Sequence, residues 1–208
     1  MTDPRTQLVG AGYDAMIDTW EAWVVKIDND PRRAWLAEFV GAVAEGSQVV
    51  ELGCGGGTLE TRELAARYRL TGVDLSSAQL ERARQRVPAA EFMQADFTTL
   101  QFELGSLGGV AAFYSFNHVP RELLAPVFAR VRDWLQPGGV FLTALGVGDE
   151  SEWYGDFLGA PSFFSSFPAE TNSRLVSEAG FELRRDEVVT IHEPEGAVDF
   201  QWILAVRP

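Results

Sequence analysis

The sequence predicts an α/β fold of the doubly wound kind, and three observations predict it. Short apolar runs alternate with helix-length amphipathic stretches between residues 47 and 145, the β-then-α order that builds a parallel sheet with helices on both faces. The first run, Val49-Val50-Glu51-Leu52, leads into the turn Gly53-Cys54-Gly55-Gly56-Gly57, where glycines tolerate positive φ and let a ligand approach the backbone. Two further runs near the end, Phe181 to Ile191 and Val198 to Val206, are joined by the short polar link His192-Glu193-Pro194-Glu195-Gly196.

Taken in order, Tyr13, Ile17, Trp20 and Val24 repeat every three or four residues and predict a helix that breaks at Asn29-Asp30-Pro31. Pro31 suits the first turn of a second helix with Asp30 as its cap, and Trp35, Leu36, Phe39, Val40 and Val43 give that helix an apolar stripe. The first strand and glycine turn follow, with Thr58 capping a helix to about Tyr68. A second strand, Leu70 to Ser76, passes the acid Asp74, and Ser76 caps the helix ending near Val87. The third strand, Glu91 to Ala95, is followed by Asp96 and Phe97, and the fourth runs from Gly109 to Phe116. Pro120 opens a helix to Trp134, Leu135-Gln136-Pro137-Gly138-Gly139 is a turn, and Val140 to Leu145 is the fifth strand. Residues 148–168 break the rhythm with Trp153, Tyr154, Phe157, Phe163, Phe164 and Phe167, which either form a lid walling a substrate pocket or pack onto the sheet. Ala169 to Ala179 reads as a helix closed by Gly180.

Size and charge narrow the function. The 208 residues are 46% hydrophobic, which fits one domain over 1–208 with one substantial core. A net charge of −13 opposes nucleic-acid and anionic-membrane partners, both of which need clustered Lys and Arg. A small molecule is the expected partner. The single cysteine, Cys54, allows no internal disulfide and no zinc spacing, so a reducing, cytoplasmic setting is expected and no metal. No secretory leader pattern opens the chain, and no apolar run reaches membrane-spanning length.

The glycine turn implies a nucleotide cofactor, and its neighbours bear on which one. A dinucleotide fingerprint needs G-x-G-x-x-G/A, but the two frames starting at Gly53 and Gly55 place Thr58 and Glu60 in the last position. Glu51 puts negative charge where a pyrophosphate would lie and favours a cationic ligand. Asp74, about twenty residues beyond the turn, suits two ribose hydroxyls in either class of nucleotide.

Glu51-x-Gly53-x-Gly55-x-Gly57 resembles the first motif of the class I S-adenosylmethionine-dependent methyltransferases, and Leu135-x-Pro137-Gly138-Gly139 before an apolar strand resembles another familiar feature of that family. The resemblance runs from Val49 to Leu145. It implies a Rossmann-like, seven-stranded, mostly parallel sheet with a terminal antiparallel hairpin, an N-terminal helical cap over 1–45, and a core over 46–208 interrupted by the lid-like 148–168. It implies S-adenosyl-L-methionine as cofactor, S-adenosyl-L-homocysteine as product, and cofactor contacts from Glu51, Gly53, Cys54, Gly55, Asp74, Leu75, Asp96, Phe97 and Ser115. Asp96 would bond the adenine amino group and Phe97 would read a ring nitrogen through its backbone, whereas the alternative for Asp96 is a cap on its own turn.

By the same resemblance the fourth-strand loop Asn117-His118-Val119-Pro120 faces the reactive methyl. His118 is the candidate general base or orienting group, and ordering its own loop is the alternative. Tyr13, Asn117, His118, Trp153, Phe163 and Phe164 are the candidate substrate pocket. The resemblance also lays the helical face of Tyr13, Ile17 and Trp20 over the cofactor cleft, with core packing the expected role for Trp20 and the cleft its alternative; His192 is expected on the surface and Cys54 as a space-filler. The implied activity is methyl transfer to an oxygen or nitrogen of a small molecule. A nicotinamide-dependent oxidoreductase and a non-catalytic cofactor-binding module are the alternatives, the first opposed by Glu51 and by the lack of a Tyr-x-x-x-Lys pair.

Overall fold

In the computed structural model, which describes residues 3–208, helices α1 (Pro4–Val24) and α2 (Arg32–Ala42) precede the first strand. The sheet elements then follow as β1 (Gln48–Leu52), α3 (Leu59–Arg67), β2 (Arg69–Asp74), α4 (Ser77–Arg86), β3 (Glu91–Gln94), β4 (Leu107–Ala112), α5 (Arg121–Trp134) and β5 (Leu135–Gly146). Next come a hairpin of β6 (Trp153–Phe157) and β7 (Ala160–Phe164), then α6 (Ala169–Glu178), β8 (Glu182–Glu193) and β9 (Gly196–Val206).

Seven strands form one sheet in the order β3-β2-β1-β4-β5-β9-β8, with β9 antiparallel to both neighbours and the other pairs parallel. Strand order reverses between β1 and β4, so the crevice for a ligand opens beyond their carboxyl ends. Alternation along β1 divides the core: Val50 and Leu52 pack with Val127, Phe128 and Val131 of α5, while Val49 packs with Trp35, Leu36 and Phe39 of α2. The expected sheet is the observed one.

Local signals fixed most helix starts. The Thr58 hydroxyl accepts the Thr61 N–H and the Thr61 hydroxyl accepts the Thr58 N–H, while Ser76 Oγ accepts the Gln79 N–H at 3.0 Å. Asp30 does not cap α2 as its N-cap residue, a place taken by Pro31, but its carboxylate accepts the Arg32 N–H at 3.0 Å.

Four expectations are corrected. Helix α1 starts at Pro4 rather than Tyr13, with Asp3 accepting the Arg5 N–H at 2.8 Å. Its first half lacks an apolar repeat because glycines make the contact: a Cβ on Gly10 would lie 3.1 Å from Leu75 Cβ, and one on Gly12 2.7 Å from the Pro161 oxygen. Strand β4 stops at Ala112, because the chain reverses at Tyr114 (φ +56°) and enters a short 3₁₀ turn over Phe116–His118. Strand β5 begins at Leu135 instead of after the turn. Leu107 pairs with Leu135 and Gly109 with Val140, so Gln136 to Gly139 bulge out, with Gly138 at φ +79°. The 148–168 segment contains the antiparallel β6–β7 hairpin, which packs against α1.

Candidate functional site

The carboxyl ends of β1, β2 and β4 open into a cavity of about 460 Å³, roofed by α1 and the β6–β7 hairpin. Glu51, Asp74 and Asp96, from or just beyond three neighbouring strands, share its wall with Gly53, Cys54, Gly55, Leu75, Phe97 and Ser115. The geometry of the glycine turn is set by Gly53 at φ +74°, whose Cβ position is filled by Ser115. The Ser115 hydroxyl in turn donates to the Leu52 carbonyl at 2.9 Å, tying the turn to the end of β4. Cys54 is buried against Gly72, its sulfur 2.9 Å from where a Cβ would be, and acts as packing.

Each acid has distinct partners. Asp74 accepts the Gly55 N–H at 2.8 Å and the Ser76 N–H at 2.9 Å, one on each oxygen. A carboxylate oxygen has two acceptor positions, so each keeps one for a ligand hydroxyl. Asp96 accepts the Thr98 N–H and hydroxyl at 2.8 and 2.6 Å and the Thr6 hydroxyl at 3.0 Å, so it caps its own turn and tethers α1 while remaining on the cavity wall. Glu51 is only 2% exposed, and its Oε2 is buried without a hydrogen-bond partner. Burial lifts its carboxyl to about 8, and the nearby acids Glu60 and Asp74 add to the rise. A buried carboxyl oxygen without a partner is costly. A ligand ammonium there would complete it.

The same place is hostile to phosphate. Glu60 lies in the first turn of α3, and the N-terminus of that helix is already occupied by the Thr58–Thr61 cap. Glu51 on the cavity wall, with Glu60 in the first turn of α3, opposes the usual anion preference of a helix N-terminus.

Opposite the strand tips stands His118, buried in the 3₁₀ turn. Its Nδ1 lies 2.9 Å from the Phe163 carbonyl, which only accepts, so that nitrogen carries the proton. Nε2 is then an acceptor and takes the Tyr13 hydroxyl proton at 3.0 Å. Burial pushes His118 down to about 4 and pushes the Tyr13 phenol up. Phe164 packs on the imidazole with ring centroids 4.4 Å apart.

Of the residues expected in a substrate pocket, Tyr13, Asn117, His118, Trp153 and Phe164 line this cavity and Phe163 does not. Alternation along β7 sends the Phe163 side chain to the opposite face, beside Tyr154 and under Arg5, and only its carbonyl reaches His118. Trp20, expected in the core, is half-buried on the cavity wall, edge-on to Tyr13 at 6.3 Å. His192 is exposed, as expected.

Phe157, one of the aromatics expected to wall a pocket or pack onto the sheet, lines the cavity; sequence reasoning missed Trp23, which Phe157 meets edge-to-face at 5.5 Å, and a polar group of Arg32, Asp30 and Tyr114. Asp30 accepts Arg32 Nη2 at 2.6 Å and the Tyr114 hydroxyl at 2.9 Å, and the guanidinium lies over the Tyr114 ring at 5.1 Å. Asp30 and Arg32 are two residues apart, but Trp23 and Tyr114 come from other segments, and no spacing in the chain announces the group. Among the described residues no cluster of side chains could hold a metal ion, and no helix is long and apolar enough to cross a membrane.

Comparison with known proteins places this geometry. Residues 49–139 match the family model described as a methyltransferase domain. Trans-aconitate 2-methyltransferase of Paracidovorax citrulli is 57% identical over 53 residues, 24% of this chain and 20% of that protein. The phosphatidylethanolamine N-methyltransferase of Cereibacter sphaeroides is 30% identical over 131 residues, 57% of this chain and 63% of that protein. The chain thus spans less than two thirds of either relative. Among solved structures, a DhpI complex with S-adenosylhomocysteine superposes with a TM-score of 0.76 at 20% identity, covering 100% of both chains. The Burkholderia thailandensis 1,6-didemethyltoxoflavin-N1-methyltransferase superposes with a TM-score of 0.71 at 18% identity, covering 95% of this chain and 84% of that one. At these identities the superpositions establish the fold.

Proposed function

We propose that this chain, a member of the class I S-adenosylmethionine-dependent methyltransferases, transfers the methyl group of S-adenosyl-L-methionine to an oxygen or nitrogen of a small molecule. One observation carries the reading: Glu51 Oε2, buried and unpaired, shares one cavity with Asp74, Asp96 and the Tyr13–His118 pair. That arrangement suits a ligand with an ammonium and an adenosine at one end and a reactive centre at the other. The net charge of −13 supports a small acceptor over nucleic acid or an anionic membrane, and the single cysteine supports a reducing, cytoplasmic setting.

Glu51 would hold the cofactor's ammonium, Asp74 its ribose hydroxyls, and Asp96 with Phe97 its adenine. Gly53, Cys54, Gly55, Leu75 and Ser115 supply the wall against which it lies. The cofactor's sulfonium activates the methyl group, so the protein's task is alignment. His118 Nε2, held neutral by burial, offers one acceptor to the Tyr13 hydroxyl or to an acceptor proton that displaces it. At about 4 it is a weak base, which supports orienting the acceptor over removing its proton. Tyr13, Asn117, Trp153 and Phe164 enclose the acceptor and exclude water.

Relatives are named for trans-aconitate, phosphatidylethanolamine and 1,6-didemethyltoxoflavin. Such unlike acceptors mean that this chain's own must be read from its cavity. The test is release of S-adenosylhomocysteine from S-adenosylmethionine over a panel of small phenols, amines, thiols and carboxylic acids. Turnover with one class supports the reading. A protein that binds S-adenosylhomocysteine and turns over none of them is the non-catalytic module instead.

A further inference from the structure

The cavity wall is unevenly charged. Beyond the three strand-tip acids, Glu150, Glu193 and Asp199 also line it, whereas its one cationic side chain among the described residues is Arg32. Arg32 is committed: Asp30 holds its guanidinium at 2.6 Å, Glu60 lies 3.9 Å away, and its face covers Tyr114. Among the described residues, no uncommitted cation faces the cavity to receive an anionic acceptor.

Glu193 differs from the other two acids. The Asp199 carboxylate accepts the Thr190 hydroxyl at 2.6 Å, and both Asp199 and Glu150 are exposed. Glu193 is half-buried, and its carboxylate has no hydrogen bond or ion pair among the described residues. Alternation along β8 puts it on the same face as Ile191, which is buried and also lines the cavity, and opposite exposed His192. Two tethers fix it there. The backbones of Asp28 and His192 exchange hydrogen bonds at 2.9 and 3.0 Å, and Trp23 Nε1 donates to Glu195 at 2.8 Å. The end of α1 is thereby drawn against the β8–β9 turn on either side of Glu193.

Aromatic rings complete the enclosure. Trp23, Phe157, Phe164 and Trp153 form a chain of contacts with centroids 5.3 to 5.5 Å apart, and Trp20 and Tyr13 extend it along α1. Aromatic faces with a carboxylate beside them attract an organic cation: the rings through their quadrupole, the acid through its charge. An unpaired carboxylate lifted by burial to about 7 is a group without its counter-cation.

We propose that the methyl acceptor is an organic cation with an apolar body: its ammonium is a recognition group held by Glu193 and the rings of the α1 and β6–β7 wall, and the methyl goes to a separate, neutral oxygen or nitrogen of that body, which gives up its proton. This rests on the reading of the cavity as a methyltransferase site. The acceptor ammonium and the cofactor ammonium then occupy separate acids, Glu193 and Glu51. A polycarboxylate is excluded, because it would meet those acids without a free guanidinium.

Calorimetry tests it. S-adenosylhomocysteine is titrated first, and the loaded protein is then titrated with tyramine, with tryptamine, and with 3-(4-hydroxyphenyl)propionate, the near-isosteric acid of tyramine. The amines are expected to bind at least tenfold tighter than the acid. Glu193→Gln should weaken the amines about tenfold with S-adenosylhomocysteine unaffected, and Glu193→Lys should reverse the order of amine and acid. Unchanged melting temperatures and S-adenosylhomocysteine affinity show that both variants fold. Amines that fail to bind, that bind no tighter than the acid, or that are indifferent to Glu193→Gln overturn the proposal. Amine binding through Glu193 in a protein that ignores S-adenosylhomocysteine would overturn the methyltransferase reading and leave the amine site standing.

Discussion

Tyr13 and His118, 105 residues apart in sequence, are joined by a 3.0 Å hydrogen bond that links the roof helix α1 to the loop leaving β4. The Phe163 carbonyl fixes the direction of that bond: it takes the Nδ1 proton, so Nε2 accepts from the tyrosine. The Tyr13–His118 bond closes the roof, and the Phe163 carbonyl sets the tautomer of the one histidine that lines the cavity among the described residues.

Removing either partner should affect turnover more than cofactor binding. Tyr13→Phe leaves Nε2 unpaired and His118→Ala removes it, and a lost orienting bond costs about 1–3 kcal/mol, a drop of about 10- to 100-fold in kcat. Steady-state kinetics with the true acceptor and calorimetry with S-adenosylhomocysteine separate the effects. Full turnover in His118→Ala would end its part in the reaction.

The buried imidazole also makes a pH prediction. His118 is lowered from 6.5 to about 4, so between those values the unfolded chain binds the extra proton and stability rises with pH. The contribution is complete above pH 6.5 and is lost as pH falls towards 4, about 3 kcal/mol in all at 1.36 kcal/mol per unit. Urea unfolding at pH 4.5 and 7, compared between the wild-type chain and His118→Gln, checks it: the variant should show the shallower dependence.

Glu51 has the opposite sign. Its carboxyl rises from 4.5 to about 8, so the ligand-free protein keeps a proton there at pH 7 and loses that stabilisation as pH rises through 8. A bound ammonium favours the charged carboxylate and expels the proton. Titration of S-adenosylhomocysteine at pH 7 in buffers of different ionisation enthalpy should register the release of about one proton. Glu51→Gln should release none and bind more weakly.

Gly53→Ala tests the turn. The residue has φ +74°, and an added Cβ would overlap the Ser115 side chain. The left-handed strain alone costs about 1–3 kcal/mol, so the melting temperature should fall and S-adenosylhomocysteine affinity with it. A neutral substitution would mean that the turn is free to move.

Much of the sheet was legible because its signals are local. The strand-tip acids, the Thr58 and Ser76 caps and the glycine turn each depend on a few adjacent residues. The roof was not. The sequence marks Trp20 as apolar at helical spacing, which suits core and cavity wall equally, and only the packing of α1 over the cleft decides between them. Gly10 and Gly12 hide the first half of that helix because they make its closest contacts without an apolar side chain. Phe163 and Phe164 are adjacent in the chain, and their assignment to opposite faces needed the register of a hairpin not foreseen as strands. Arg32, Asp30 and Tyr114 meet only after the chain reverses at Tyr114.

The central claim is that Glu51, Asp74 and Asp96 build a pocket for a cationic nucleoside in place of a phosphate-linked one. Calorimetric titration of the same preparation with S-adenosylhomocysteine, NAD and NADP measures it most directly. The account predicts binding of S-adenosylhomocysteine, weakened in Glu51→Gln, and no response to either dinucleotide. Binding of NAD or NADP with none of S-adenosylhomocysteine would contradict it.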